Sequence, residues 1–478
     1  MDLGYSGQPH PHWQNLLAWL NTHGMDTSPE AMPVQALASP SAGYGLFARR
    51  CIDPAAPLFS TPPSALLNVA TLSPFYPEAR QSLTAMQLLS LHLFLYRPLG
   101  SRESTDPTFG PYISTLPREF DSHPLTWLCS GREDNPGSAF LSSLPPSVLY
   151  SLRKLVDRFN TDWRTVQRYI QDHDFAHPIS EVIGAVEKSL RSYLPACRED
   201  FLWAWLNVNT RCLYYRLERS QSDKNNVTLC PILDFANHTT SSHHMSPQAA
   251  NADRAAAPPR TDPREFTVLS PSDTTTKPGD EVYLTYGAHS NKTLFVEYGF
   301  VNEISNEILL RGDVHGESDV DDSIGCLFKA RGKLGTWLQE VLTREGYWGD
   351  WTLHLQPLPA HPSYRLITAL RLYHLFPASA EEVPLDADRA LLPWKATLLG
   401  RADRISQENE EAWKDTLLQI CSKLAEDATT AIASLDAVSA NREIAWFSWM
   451  KKNIRMLWEE ELFVTRMVAQ SILGGEEF

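Results

Sequence analysis

The sequence predicts an α+β protein in which two strand-rich regions flank a long helical segment and a further helical region follows. Three observations lead to this prediction. Strand-like alternation occurs at about 43–61, and again at 227–233 and 264–285. Helical spacing of apolar residues dominates at about 80–218, which is typical of an insertion between strands. Helical spacing returns after residue 305 and predicts an all-α C-terminal region.

The length and charge limit the partners that the chain can have. Its 478 residues suggest about two or three domains. A formal net charge of -15 repels nucleic-acid phosphates, so we expect no direct nucleic-acid partner and favour a basic protein or peptide. The same charge is equally compatible with a role in solubility alone. No apolar run is long enough to cross a bilayer, so no membrane partner is expected, and the sequence leaves the oligomeric state open.

The cysteine and histidine residues do not predict a metal site. The seven cysteines form no C-x-C or C-x-x-C pair, and their scatter is typical of reduced thiols in the cytoplasm or nucleus. No basic region precedes an apolar run after Asp2, so no signal peptide is expected. His238, His243 and His244 lie at the start of a Ser-, Ala- and Pro-rich segment at 239–263, which predicts a solvated surface loop.

The N-terminal part predicts a helix followed by a glycine-containing turn. Residues 12–22 have amphipathic spacing and predict a short helix. Gly43-Tyr44-Gly45-Leu46-Phe47-Ala48 is typical of a glycine turn entering a strand, and a second strand is expected at 57–61. Because glycine has no Cβ, this turn could approach a ligand closely. A plain hairpin turn explains the same two glycines.

The remaining helices follow from apolar residues at three- and four-residue spacing. In the central region they are predicted at 82–97, 147–159, 162–172, 180–194 and 199–217, the last with Asp200 as a cap. Strands are expected at 265–269 and 281–285. An acidic linker is expected at 317–322. The C-terminal helices are predicted at about 324–344, 363–375, 404–434 and 437–472.

Two motifs carry a resemblance to a known family. The first is Asp234-Phe235-Ala236-Asn237-His238, and the second runs from Gly279 to Gly287. The supporting motifs occur in order and are Gly43–Ala48, Phe109–Pro117, Asn209–Arg211, Ser290–Asn291 and Tyr298–Phe300. With this ordered set, the sequence resembles a SET-domain methyltransferase, and more narrowly the Rubisco large-subunit methyltransferase family.

The resemblance implies a domain organisation and an activity. It implies an N-terminal helical segment at 1–35 and a SET-domain β-fold at 36–305 with a helical insertion at about 80–218. A helical substrate-binding domain of the Rubisco-methyltransferase type would occupy 306–478. The implied activity is S-adenosylmethionine-dependent N-methylation of lysine in a non-histone protein. Methylation of a histidine is an alternative, and an inactive SET fold that binds a partner protein is another.

The resemblance also implies the cofactor site. Arg211 can bind the cofactor carboxylate, the side chain of Asn237 can meet the methionine part, and the backbone at Asn237 and His238 can meet the adenine edge. On the residues alone, Arg211 could instead lie on a helix surface, and Asn237-His238 could be a simple turn. The implied cofactor-binding residues are Gly43, Tyr44, Gly45, Leu46, Phe47, Arg211, Asp234, Asn237, His238 and Tyr298.

Tyr286 is the expected catalytic residue because it ends a strand-like segment directly before Gly287. Its hydroxyl would orient the attacking nitrogen close to the sulfonium of the cofactor. A lysine nucleophile must be neutral, although its free pKa is about 10.4. An apolar, aromatic channel and the positive charge of the cofactor lower that pKa. Tyr298 is the expected channel wall, together with Tyr215 and Phe295, which would fit an ordinary aromatic core equally well.

Overall fold

A computed structural model describes most of the chain and divides it into two compact units. Unit 1 comprises Met1–Asn135 and Lys154–Ala288, and unit 2 comprises Pro136–Arg153 and His289–Phe478. The domain boundaries implied by the resemblance remain a prediction. The described residues are 7–39, 43–76, 78–129, 135–173, 197–218, 220–248, 265–312, 316–380, 382–437 and 444–478. The helix predicted at 180–194 and most of the loop predicted at 239–263 lie outside these ranges.

Short antiparallel strands form four small sheets in the described ranges. Unit 1 contains the pair β1-β2 and the three-stranded sheets β3-β8-β7 and β4-β6-β5, and unit 2 contains the sheet β11-β10-β9. The strands are β1 Val34–Ser39, β2 Gly43–Ala48, β3 Pro57–Thr61, β4 Leu67–Asn68, β5 Leu213–Tyr214, β6 Val227–Leu229, β7 Ser246–Gln248, β8 Phe266–Leu269, β9 Glu317–Asp319, β10 Thr352–His354 and β11 His361–Pro362.

Helices account for most of the regular structure, so the predicted α+β class is confirmed. The helices up to Arg211 are α1 Trp13–Thr22, α2 Val69–Leu72, α3 Ala79–Ser82, α4 Ala85–Leu95, α5 Gly110–Ile113, α6 Pro124–Cys129, α7 Ser138–Leu141, α8 Pro146–Asp172 and α9 Arg198–Arg211. The helices that follow are α10 Asn291–Tyr298, α11 Asn306–Arg311, α12 Asp321–Ala330, α13 Gly332–Glu345, α14 Tyr364–Tyr373, α15 Ala387–Ala390, α16 Leu392–Leu398, α17 Gln407–Ala437 and α18 Phe447–Leu473.

Three of the predicted central helices have different bounds in the structure. The helices predicted at 147–159 and 162–172 are one continuous helix, α8. Thr161 does not break it, because its hydroxyl donates to the carbonyl of Asp157 at 2.8 Å within the helix. The helix predicted at 199–217 ends at Arg211, where Cys212 is extended and the chain enters strand β5. Asp200 is not its N-cap but accepts a hydrogen bond from Arg97.

Three further predictions about regular structure are wrong. Residues 281–285 form only isolated bridges rather than a strand. The acidic linker expected at 317–322 is strand β9 and the start of helix α12. The helix predicted at 324–344 is interrupted between α12 and α13, where Gly332 has a φ of +55°. The two helices approach so closely that a Cβ on Gly335 would lie 1.7 Å from the carbonyl oxygen of Phe328.

The core of unit 1 lies between helices α4 and α9, which pack against each other. Phe94 and Phe201 contact edge to face with ring centroids 6.1 Å apart, and both are fully buried. The indole of Trp205 donates to Asp162 at 2.9 Å, so its polar nitrogen is satisfied inside the core.

The core of unit 2 is built around helices α17 and α18 and three buried tryptophans. Trp351, Trp394 and Trp413 each have 1% or less of their surface exposed. The indole of Trp394 donates to the carbonyl of Thr368 at 3.0 Å, and the indole of Trp413 donates to Glu410 at 2.8 Å. Large aromatic side chains with satisfied nitrogens contribute strongly to stability.

Glu460 on α18 is a buried carboxyl group in unit 2. It accepts hydrogen bonds from the side-chain amide of Asn291 at 2.7 Å and from the backbone amide of Glu317 at 3.3 Å. Burial raises the pKa of Glu460 to about 8, although both hydrogen bonds oppose this change. Burial also raises the pKa of the neighbouring Glu461 to about 8. Unit 2 therefore holds two carboxyl groups that favour the protonated form.

Trp394→Ala should lower the free energy of unfolding by about 3–5 kcal/mol, because it leaves a large cavity and removes the hydrogen bond to the carbonyl of Thr368. The control is Leu392→Ala on the same helix, where the side chain is 59% exposed and the change should stay within about 0.5 kcal/mol. Chemical denaturation measures both. Equal stability losses in the two variants would contradict the described core.

Glu460→Gln should reduce the pH dependence of stability. The folded pKa of about 8 lies above the ordinary value of 4.5, so the native state holds its proton more tightly. Stability from this group is present below pH 4.5 and is lost as the pH rises towards 8. Denaturation at several pH values should show a smaller loss of stability in Glu460→Gln than in wild type or in the control Glu459→Gln, whose side chain is 44% exposed. Identical pH profiles for all three proteins would rule this out.

Candidate active site

The candidate site in unit 1 is built around a segment at 280–284 that runs between strand β2 and the chain at 236–239. On one side, the amide of Val282 donates to the carbonyl of Leu46 at 2.7 Å. On the other side, the amide of Leu284 donates to the carbonyl of Asn237 at 2.8 Å. These bonds bring the first of the two sequence motifs directly beside the second, with the glycine turn next to both.

The two glycines of the turn exclude a side chain for different structural reasons. Gly43 has a φ of +76°, a conformation that residues with a Cβ rarely adopt. A Cβ on Gly45 would lie 2.2 Å from Oε1 of Glu281 and 3.1 Å from Nδ2 of Asn237. A side chain at Gly45 would therefore displace a protein carboxylate. The sequence predicts that a ligand could approach this turn closely. At Gly45, however, the side chain of Glu281 fills the space beside the backbone.

Asn237 is held by a network of polar groups. Its Nδ2 donates to Oε1 of Glu281 at 2.6 Å and to the carbonyl of Tyr44 at 3.2 Å. The hydroxyl of Tyr283 donates to the other carboxylate oxygen, Oε2 of Glu281, at 3.0 Å. Burial and the neighbouring Glu281 carboxylate raise the pKa of Tyr283 to about 12, so it remains a hydrogen-bond donor at neutral pH.

Tyr286 lies beside the Asn237-His238 segment, as the combination of motifs predicts. Its hydroxyl donates to the carbonyl of Ala236 at 2.9 Å, and its backbone amide donates to Nδ1 of His238 at 3.1 Å. The rings of Tyr286 and His238 have centroids 5.1 Å apart. The expected catalytic tyrosine and the expected cofactor-binding segment therefore share one site.

The chain before Asn237 makes a tight turn in buried surroundings. Ile232 has φ +71° and ψ −53°, a strained conformation for a β-branched residue, and a short 3₁₀ helix, Leu233–Phe235, follows. Asp234 accepts a hydrogen bond from the hydroxyl of Tyr112. Although Asp234 keeps some exposed surface, protein encloses its carboxyl group, and burial raises the pKa of that group to about 7. The hydrogen bond from Tyr112 and the charge of Arg211 oppose this rise.

Arg211 ends helix α9 near Asp234, with its guanidinium 5.9 Å from the ring centroid of Phe120. Its Nη1 donates to the hydroxyl of Thr210 at 2.6 Å. Its Nε is buried and finds no hydrogen-bond acceptor among the described residues. A buried donor without a partner is costly, so Nε is a candidate donor to a bound anionic group.

The other expected cofactor contacts on strand β2 differ in exposure. Leu46 and Phe47 are buried, which leaves their backbone as the part that a ligand could reach. The ring of Tyr44 packs edge to face on His10, with centroids 4.5 Å apart. Burial and the positive charges of His12 and Arg118 lower the pKa of His10 to about 4, so His10 is neutral at physiological pH.

The three expected channel residues lie in different units. Tyr215 is buried in unit 1, 6.1 Å from the ring of Phe266, and burial raises its pKa. Phe295 is fully buried on helix α10 in unit 2. Tyr298 ends the same helix, with its ring 6.1 Å from that of His289. The roles of these residues in a substrate channel, and of Tyr298 towards the cofactor, remain predictions.

Three residues of the site had no role assigned from the sequence. The sequence predicts Glu281 and Tyr283 only as parts of a strand, and it includes Tyr112 only as one member of a supporting motif. Their spacing offered one usable signal: Glu281 and Tyr283 are two residues apart and therefore face the same side of an extended segment. The partner across that segment, Asn237, is 44 positions away and could not be paired with them from spacing alone.

Within the described ranges, no group of three or more His, Cys, Asp or Glu side chains is arranged to hold a metal ion. His243, which the sequence predicts at the start of a solvated loop, pairs with Asp273 at 2.8 Å. Among the helices described, none combines the length and the apolar character needed to cross a membrane.

Comparison with known proteins supports the resemblance drawn from the motifs. No family model matches the chain. It is 26% identical over 379 residues to the ribosomal lysine N-methyltransferase set11 of Schizosaccharomyces pombe, covering 79% of each chain. It is also 26% identical over 452 residues to the human SET domain-containing protein 4, covering 91% of this chain and 86% of that protein. The actin-histidine N-methyltransferase of Xenopus tropicalis is more distant, at 24% identity over 63% of this chain and 45% of that protein.

The fold agrees with that of solved SET-domain structures. The SET domain of LSMT bound to lysine and AdoHcy superimposes with a TM-score of 0.60 at 18% identity, covering 97% of this chain and 92% of that chain. Rubisco LSMT bound to AdoMet superimposes with a TM-score of 0.54 over 97% of this chain and 91% of that chain. The chain therefore has the fold of the LSMT SET-domain structures, and the relatives found by sequence are named lysine N-methyltransferases and SET domain-containing proteins.

Proposed function

We propose that the protein transfers methyl groups from S-adenosylmethionine to a lysine side chain of a non-histone protein. The observation that carries this proposal is the direct contact of Tyr286 with the Asn237-His238 segment. An inactive binding module has no need for a tyrosine hydroxyl fixed beside this turn. The lysine methyltransferase names of the relatives and the shared SET fold support the same activity.

The residues present fit S-adenosylmethionine. When bound, this cofactor supplies a methyl group that is activated by its sulfonium. The buried, unpartnered Nε of Arg211 would donate to its carboxylate. Asn237 would meet the amino-acid part of the cofactor, while the backbone of His238 and of the Gly43–Phe47 turn would line the rest. Asp234 would act beside Arg211, and the resemblance also implies a role for Tyr298 towards the cofactor.

Tyr286 would orient the acceptor nitrogen. Its hydroxyl donates to the carbonyl of Ala236. A tyrosine oxygen that donates its hydrogen to a carbonyl can also accept a hydrogen bond from an amine N–H. A fixed dipole of this kind holds the nitrogen in line for displacement and needs no reorganisation during the reaction. Tyr215, Phe295 and Tyr298 would exclude water around the substrate side chain and so favour its neutral form.

A basic ribosomal protein is the substrate class that we favour. The fission yeast relative is by name a ribosomal lysine methyltransferase. The net charge of -15 on this chain would attract a basic partner over a distance. With such a substrate, the enzyme would act in the cytoplasm or the nucleus. The helical C-terminal region would bind the partner protein. Transfer of labelled methyl groups into cell extract, followed by identification of the labelled residue, distinguishes lysine from the histidine alternative.

Tyr286→Phe should lower turnover by more than about tenfold while cofactor affinity stays close to that of wild type. The hydroxyl is lost, but the backbone bond from Tyr286 to His238 remains. Labelled-methyl transfer measures turnover, and calorimetric titration with S-adenosylhomocysteine measures affinity. Tyr150→Phe, at a tyrosine that is 50% exposed, is the matched control. Full activity in Tyr286→Phe would remove Tyr286 from the reaction.

Asn237→Ala and Arg211→Ala should each weaken the binding of S-adenosylhomocysteine by about tenfold or more, because each removes a polar contact to the amino-acid part. Calorimetric titration gives the affinity directly. Arg344→Ala, at an exposed arginine of helix α13, should bind as wild type does. Unchanged affinity in both site variants, with binding by wild type intact, would show that the cofactor binds elsewhere.

A further inference from the structure

We propose that Glu281 is a positioning residue of the cofactor site, which fixes the orientation of the Asn237 amide and thereby selects the part of the ligand that Asn237 can bind. The proposal deepens the proposed function and rests on it. Three observations carry it: the hydrogen bonds of Asn237, the clamping of the Glu281 carboxylate, and the close packing at Gly45.

The hydrogen bonds of Asn237 use the nitrogen end of its side chain completely. A side-chain amide nitrogen has two hydrogens to donate. In Asn237, one is directed to Oε1 of Glu281 at 2.6 Å and the other to the carbonyl of Tyr44 at 3.2 Å. The amide is therefore fixed with Oδ1 pointing away from Glu281. What Asn237 can offer to a ligand is a hydrogen-bond acceptor.

The Glu281 carboxylate is itself clamped, so it can act as a fixed reference for Asn237. Its second oxygen accepts from the hydroxyl of Tyr283 at 3.0 Å. Its backbone is held in a bridge opposite Phe47. The next residue, Val282, donates to the carbonyl of Leu46 at 2.7 Å. Protein groups therefore hold both the main chain and the side chain of Glu281.

The packing at Gly45 shows how closely this arrangement is fitted to the turn. A Cβ at that position would come within 2.2 Å of Glu281 and 3.1 Å of Asn237. A side chain on Gly45 would push apart the two groups whose hydrogen bond sets the amide. Gly45 therefore contributes to the site by leaving room for the Glu281–Asn237 pair.

The orientation has a consequence for ligand recognition. A group that meets Oδ1 of Asn237 must be a hydrogen-bond donor, and in S-adenosylmethionine the α-ammonium group is such a donor, whereas the carboxylate is not. Asn237 would then bind the α-ammonium group, and the unpartnered Nε of Arg211 is left for the carboxylate. Glu281 acts through Asn237 and needs no contact of its own with the cofactor.

The test is a set of affinities for S-adenosylhomocysteine, measured by calorimetry in wild type, Glu281→Ala, Glu281→Gln, Asn237→Ala and the double variant Glu281→Ala/Asn237→Ala. Glu281→Ala should bind about tenfold more weakly. Glu281→Gln should recover most of that loss, because its amide oxygen can still accept from Asn237 while its nitrogen donates to Tyr283. In the double variant, loss of Glu281 should add less than about twofold, because the two residues act as one unit.

A second ligand separates positioning from general damage to the fold. 5′-Methylthioadenosine lacks the amino-acid part of the cofactor, so wild type and Glu281→Ala should bind it equally. If Glu281→Ala is not obtained folded, Glu281→Asp replaces it, since the shorter side chain keeps the charge but withdraws the carboxylate from Asn237.

Three outcomes overturn the proposal. They are wild-type affinity in Glu281→Ala, a full additional loss in the double variant, and equal weakening of both ligands. Failure of the proposed function looks different: wild type would then bind no S-adenosylhomocysteine, or Asn237→Ala would bind it as well as wild type does.

Discussion

The backbone hydrogen bonds of residues 280–284 are the interaction on which the candidate site depends. Val282 bonds to Leu46 on one side and Leu284 bonds to Asn237 on the other, so one short segment joins two parts of the chain that are about 190 residues apart in sequence. Each contact is an ordinary peptide hydrogen bond worth about 1 kcal/mol. Together they decide which side chains meet, and Glu281, Tyr283 and Tyr286 reach the site because this segment lies where it does.

Hydrogen bonds within the protein fix the orientation of the main polar groups of the site. Asn237 is set by Glu281 and Tyr44, and the hydroxyl of Tyr286 is set by Ala236. Such groups lose their conformational freedom when the protein folds and not when a ligand binds. A ligand that matches them therefore binds and is aligned without further rearrangement of the protein. Methyl transfer needs this property above others, because the cofactor supplies the reactivity and the protein supplies alignment.

The sequence predicted local structure best where a single signal dominated. Helix α1 and strand β3 matched because clear periodicity was bounded by turn residues. The sequence predicts two helices where α8 is continuous, and the hydroxyl of Thr161, at the predicted gap, bonds within the helix. The 281–285 segment has the alternation of a strand but only isolated bridges as partners. Glu281 was missed because its function depends on a residue that folding, and not spacing, brings beside it.

A structure of the protein with bound S-adenosylhomocysteine tests the central claim most directly, namely that the Asn237 segment and Tyr286 form the two sides of one methyl-transfer site. The account predicts that the amino-acid part of the ligand contacts Asn237 and that its sulfur faces the hydroxyl of Tyr286. It also predicts that the Glu281–Asn237 hydrogen bond is unchanged on binding. A ligand seated away from the 280–284 segment, or one that contacts Asn237 with Tyr286 directed elsewhere, would contradict it.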